Sequence, residues 1–132
     1  MKQKLAGLVT GLVIFFLLVG CTTGSYSVLS ASENNTSTSL SMTYSKLNGF
    51  KSTTLTVKEN EVSEVSVDII SKEGKLNLVI LDEKDQYVYQ GNDLPTSSFS
   101  VKLDKAGKYT IKVTGEKHTG SYNIAWNTTD KE

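Results

Sequence analysis

Phe99-Ser100-Val101-Lys102-Leu103, Gly107-Lys108-Tyr109-Thr110-Ile111-Lys112-Val113 and Gly120-Ser121-Tyr122-Asn123-Ile124-Ala125-Trp126 decide the fold. Each alternates an apolar residue with a polar or small one. Successive side chains of a β-strand point to opposite faces, so this period describes strands with one buried side. The same period runs outward through Leu40, Met42 and Tyr44, then Thr53, Leu55 and Val57, then Val65, Val67 and Ile69, then Leu76, Leu78 and Ile80. Turn chemistry separates these runs at Lys72 to Lys75, Asp82 to Asp85, Gly91 to Pro95, Asp104 to Gly107 and Gly115 to Gly120. No segment shows the 3.6-residue apolar stripe of a helix. About eight short strands predict an all-β domain over 40–132, a small antiparallel β-sandwich or jelly roll. A small barrel is the alternative. The two Gly-x-Tyr segments are expected to pair as a hairpin through Gly115 to Gly120, with Trp126 in the core.

The N-terminus reads as an export address. Lys2 and Lys4 precede an apolar run from Leu5 to Val19, and small Gly20 marks a cleavage point, which is the anatomy of a signal peptide over 1–20. A spanning helix needs about 20 apolar residues, more than this run supplies. The chain's single cysteine, Cys21, follows directly. Leu18-Val19-Gly20-Cys21 resembles the lipobox of bacterial lipoproteins. That resemblance implies that the Cys21 thiol carries a diacylglyceryl group and becomes the mature N-terminus. Two acyl chains hold a protein at a membrane firmly, where one does not. Thr22 after the cysteine gives no acidic cue for inner-membrane retention.

Residues 21–39, rich in Ser, Thr, Asn and Gly, are expected to form a flexible tether, since they offer little apolar surface to offset ordering entropy. The alternative is that Tyr26 to Leu29 adds an edge strand to the domain.

Composition excludes whole classes of function. Without Lys2 and Lys4 the exported part has twelve lysines against fourteen acidic residues, a formal −2, and the chain has no arginine. Nucleic-acid recognition favours the planar guanidinium fork and a basic stripe, so no nucleic-acid partner is expected. With Cys21 acylated, neither a disulfide nor a thiolate metal site is available, and the domain relies on its hydrophobic core.

The order Gly74-Lys75-Leu76-Asn77-Leu78-Val79-Ile80-Leu81-Asp82, Phe99-Ser100-Val101, Ala106-Gly107-Lys108-Tyr109-Thr110-Ile111-Lys112-Val113 and Gly120-Ser121-Tyr122-Asn123-Ile124 resembles the bacterial pre-peptidase C-terminal domain and related jelly-roll modules. The resemblance covers roughly Glu61 to Trp126. It implies a β-sandwich that serves secreted enzymes without being catalytic itself. The family's Asp-rich strand end is only partly present, as Asp82-Glu83-Lys84-Asp85.

Candidate chemistry is sparse. His118, the one histidine, falls in the Gly115 to Gly120 turn and reads as a solvent-exposed turn residue, with no serine marked as its nucleophile. Asp82, Glu83 and Asp85, with Asn92 and Asp93, offer oxygens of the kind Ca²⁺ takes, but Lys84 interrupts them and the spacing matches no known loop. Neither a metal site nor a cofactor is expected, and no catalytic residues stand out. Tyr87 and Tyr89 straddle Val88 in a short strand. If Val88 points inward, two rings stand exposed on one face and form a ligand-binding platform; the alternative is that both tyrosines point inward. The expected function is a lipid-anchored module at the outer surface of the cell membrane, facing the wall or periplasm. It is non-enzymatic and binds cell-wall glycan or an envelope protein. The alternative is an accessory lipoprotein acting in trans on an exported enzyme or transporter.

Overall fold

The computed structural model describes residues 23–131; the expected signal-peptide helix over 1–20 and the lipidation site Cys21 lie outside them. The described residues hold six β-strands and no helix: β1 (Thr23–Glu33), β2 (Ser39–Val57), β3 (Glu61–Leu81), β4 (Tyr87–Gly91), β5 (Ser97–Leu103) and β6 (Gly107–Asp130). All pairings are antiparallel, in the order β1-β2-β6-β3, with β4 and β5 both on the far side of β3.

Three strands are long because they serve two layers. In the first layer, Leu40 lies opposite Ile124, Ile124 opposite Val67, and Val67 opposite Phe99. In the second, Thr53 lies opposite Ile111, Ile111 opposite Ile80, and Ile80 opposite Tyr89. Each long strand crosses between layers where its register shifts, at Tyr44 to Gly49 in β2 and at Ser71 to Lys75 in β3, against Gly115 to Gly120 of β6. Strands that switch layers through bulges make such corners. The result is the expected all-β sandwich, built as one sheet folded over on itself. Its inner faces share one core, in which Leu40, Val67, Leu76, Ile80, Ile111 and Ile124 are at most 1% exposed.

Two expectations change here. The hairpin through Gly115 to Gly120 is absent: both Gly-x-Tyr segments belong to β6, and each is already flanked by β2 and β3. Glycines there bend the strand instead of reversing it. Gly120 has φ 147°, and a Cβ on it would run into the Ile70 carbonyl oxygen, so β6 approaches its neighbour β3 this closely at the corner only without a side chain. Gly74 plays the same part on β3, against the Lys117 carbonyl.

The expected tether over 21–39 is also corrected. From Thr23 to Glu33 the chain is a strand, paired from Thr23 opposite Ser52 to Glu33 opposite Met42. Its backbone groups find partners on the open edge of β2, and that pairing orders it. Tyr26 packs against the core and donates its hydroxyl to Glu33 at 2.6 Å. Lys51 pairs with Glu33 at 2.7 Å and sits 5.0 Å over the Tyr26 ring. Burial pushes the Glu33 carboxyl up, but hydrogen bonds from Lys51, Tyr26 and Asn35 outweigh it and hold the group below its usual range.

Candidate functional site

The first place to look for chemistry is the layer crossing, where His118 is 0% exposed and not the expected turn residue in solvent. The Tyr44 hydroxyl is 2.6 Å from His118 Nδ1, and Ser71 Oγ is 2.8 Å from Nε2. Ser71 Oγ donates its only hydrogen to the Leu94 carbonyl at 2.8 Å, so toward the ring it accepts. Nε2 therefore carries the imidazole proton and Nδ1 accepts from Tyr44. Every polar atom of the chain Tyr44–His118–Ser71–Leu94 is committed, and the hydroxyl a nucleophile would need is tied to a backbone carbonyl. Burial lowers the His118 pKa, the Asp93 charge opposing it in part, and burial raises that of Tyr44. This is a structural staple of the neutral imidazole. Sequence reasoning missed it because Gly115 and Gly120 on either side read as a loop.

The second place is the flank formed by β4 and β5. Tyr87 is 63% and Val88 42% exposed. Tyr89 does not share that exposure. The register of β3 against β4 shifts between Ile80 and Leu81, so Tyr89 lies opposite buried Ile80 while Tyr87 lies opposite Leu81. The Tyr89 ring tilts against Phe99 at 5.2 Å between centroids, and its burial raises its pKa. The bulge separates two rings that strict alternation would place together. Tyr87 alone of the two expected site tyrosines stands free for a ligand. Trp126 is 8% exposed and belongs to the core, as its phase predicted.

Beside Tyr87 opens a cleft of about 300 Å³, lined in part by Asp82, Gln86, Lys102, Asp104 and Lys105. One wall is the turn after β3. Asp82 Oδ1 accepts the backbone N–H of Lys84 and of Gln86, both at 2.9 Å, and Asp85 takes a φ of 59°. The other wall is the segment before β6, held by the Tyr109 hydroxyl, which donates to the Lys105 carbonyl at 2.6 Å. Burial raises the Tyr109 pKa, with Asp104, Asp82 and Glu83 adding to the effect. Gln86, Lys102, Asp104 and Lys105 are exposed at this rim. The oxygens considered for calcium are not brought together: Asp93 sits in the β4–β5 loop, its N–H donating to Asn77 at 2.7 Å. Among the described residues, no three His, Cys, Asp or Glu side chains are placed to hold a metal ion.

No known family model and no curated protein matches the sequence. Among solved structures, the chain is similar to the enzymatically active domain of tailspike protein 4 from bacteriophage CBA120 at TM-score 0.46 and 13% identity, with 82% of this chain covering 19% of that one. It is similar to the low-affinity xylan-binding module CBM86 of Roseburia intestinalis at TM-score 0.45 and 10% identity, covering 86% and 96% of the two chains. It is also similar to the pre-peptidase C-terminal domain of a Bacillus anthracis collagenase at TM-score 0.41 and 18% identity, covering 83% and 91%. Likenesses this distant assign neither a family nor a ligand.

Proposed function

We propose that the chain is a lipid-anchored protein of the outer cell surface, held by Cys21, whose β-sandwich is a non-catalytic binding module for cell-wall polysaccharide. The observation that carries this reading is the exposed Tyr87 ring at the rim of a cleft whose walls are hydrogen-bonding side chains. A sugar ring offers an apolar C–H face and a perimeter of hydroxyls. An aromatic side chain suits the first, and Gln86, Asp104, Lys102 and Lys105 suit the second. The commitment of His118 to Tyr44 and Ser71 supports the non-catalytic part.

The test is retention of the detergent-solubilised, full chain on insoluble cell-wall polysaccharide and on xylan, the ligand named for one structural neighbour. Tyr87→Ala is expected to weaken retention about tenfold or more, the equivalent of about 1.4 kcal/mol of lost contact. Retention indifferent to Tyr87→Ala sinks the site. Retention by an envelope protein alone replaces this reading with the accessory one. Separately, Cys21→Ala is expected to leave an unlipidated precursor; processing and membrane partition like the wild type would sink the anchor.

A further inference from the structure

We propose that the sandwich carries a second sugar-binding cleft, centred on Ile70 on the outer face of the first layer, and that it takes an uncharged sugar unit. The inference rests on the polysaccharide reading above and deepens it: with two sites, the module grips a repeating polymer at more than one unit.

Exposure points to the place. Among the described residues, three large apolar side chains are exposed: Tyr87, Val88 and Ile70, the last at 48%. The first two belong to the cleft already described. Ile70 is out of phase with buried Val65, Val67 and Ile69 of β3, so it stands on the outer face of the sheet. Ser121 of β6 lies directly opposite it. In the next outward row, Asp68 lies between Asn123 of β6 and Ser98 of β5. β5 begins at Ser97, opposite Ile69, so its ladder stops short of Ile70. The chain just before β5 is pinned to β3 beyond that row: Thr96 Oγ1 accepts the Ser71 N–H at 2.9 Å and donates to the Ser71 carbonyl at 3.3 Å. A cleft of about 400 Å³ opens here, lined in part by Ile70, Asp68, Thr96, Ser98, Ser121 and Asn123.

The polar atoms of this cleft say what it can take. Ser98 Oγ donates to Asp68 Oδ1 at 2.6 Å, which fixes the carboxylate and leaves Oδ2 to accept. The Ser121 hydroxyl and the Asn123 side-chain amide have no partner among the described residues. Together they present an acceptor, an amide that both donates and accepts, and a hydroxyl, around one aliphatic side chain. Adjacent hydroxyls of a sugar ring both donate and accept, and its C–H face suits Ile70. No lysine lines the cleft, and Asp68 is its one charged side chain. An anionic unit would meet that carboxylate with nothing to offset it, which is why the ligand is an uncharged one.

The two clefts share no lining residue, yet β5 serves both. Ser98 borders the Ile70 cleft and Lys102 the Tyr87 cleft, on the same face of the strand about 13 Å apart. A repeating polysaccharide offers units to both at once, and the second contact is made at the high effective concentration set by the first.

The experiment uses the detergent-solubilised full chain, with xylohexaose and soluble fragments of the cell-wall polysaccharide as probes. Amide NMR shifts are expected in two separate groups, one at Ile70, Ser98, Ser121 and Asn123 and one at Gln86 to Val88 and Lys102 to Lys105. Ile70→Thr keeps the β-branched shape that suits a strand and removes the apolar contact. It should abolish the first group of shifts, preserve the second and leave the thermal midpoint unchanged. On the insoluble polysaccharide, Ile70→Thr and Asn123→Ala should each weaken retention about threefold or more, and Ile70→Thr combined with Tyr87→Ala should weaken it more than either alone. The shifts at Ile70 should persist in high salt, since no ion pair holds the ligand there. Shifts confined to the Tyr87 group, or retention indifferent to both Ile70→Thr and Asn123→Ala, refute the second cleft and leave the first standing. Salt-sensitive shifts at Ile70 refute the uncharged ligand. Shifts in neither group with no retention refute the second cleft together with the polysaccharide reading.

Discussion

The layer crossing and the cleft each set a tyrosine among polar side chains and differ in what their polar atoms are left to do. At the crossing, Tyr44, His118 and Ser71 form a closed chain that ends on the Leu94 carbonyl. At the cleft, Tyr87 stands 63% exposed, and its neighbours Gln86, Lys102 and Lys105 are exposed side chains. A tyrosine, histidine and serine in contact invite a catalytic reading, yet their hydrogens are all assigned inside the fold. A tyrosine among a glutamine, two lysines and a carboxylate looks bland in sequence, yet its ring and its neighbours' polar ends are left open to solvent. Residue type proposes chemistry; the unspent hydrogen bond decides it.

The comparison can be broken most directly at His118. His118→Ala opens a buried space and strands the Tyr44 and Ser71 hydroxyls, so a loss of about 3 kcal/mol is expected in urea unfolding. A change under about 0.5 kcal/mol would mean the staple holds nothing. Tyr44→Phe keeps the ring and removes one end of the chain. It should cost about 1–2 kcal/mol, because the buried Nδ1 acceptor loses its donor.

Protonation attacks the same place. Burial lowers the folded-state pKa of His118 below 6.5, with the charge of Asp93 opposing the shift. Below that value the unfolded chain binds a proton that the folded chain still refuses. The contribution of His118 is therefore complete above pH 6.5 and is lost as pH falls from there toward the lower folded-state value. Urea unfolding on either side of pH 6.5 should show this drop in the wild type, and His118→Ala should lack it. An equal pH slope in both proteins would assign the effect to other groups.

Smaller effects sharpen the contrast. Tyr122 is 1% exposed, and its hydroxyl has no hydrogen-bond partner within the described residues. Tyr122→Phe is thus expected to be neutral or stabilising by up to about 1 kcal/mol in thermal melts, unlike Tyr44→Phe beside it. Finally, Tyr87→Ala should change stability by less than about 0.5 kcal/mol while it weakens the proposed polysaccharide retention about tenfold or more. A large stability loss there would make the ring structural.

Much of the strand content was legible because a buried face imposes a period of two. Val65 to Ile69, Leu76 to Ile80, Tyr109 to Val113 and Tyr122 to Trp126 all place their apolar residues inward as the alternation required. What alternation cannot convey is whether a glycine-rich break reverses the chain or bends it. Gly115 to Gly120 allows either, and the choice belongs to β2 and β3, which flank both halves of β6. The same gap hid His118, whose burial follows from the bend. It also hid the difference between Tyr87 and Tyr89, since a one-residue bulge in β4 leaves no mark on composition.

Sequence by itself determined the all-β class and the inward faces of the strands, because apolar burial writes its own spacing along the chain. It also determined the expectation of an anchor at Cys21. Only the tertiary structure decided that the three long strands fold one sheet over on itself, that His118 closes the corner, and that residues from Thr23 form an edge strand instead of a tether. Those outcomes depend on backbone hydrogen bonds to partners far away in the chain. Such bonds are open to almost any residue, so no local pattern records which ones are made.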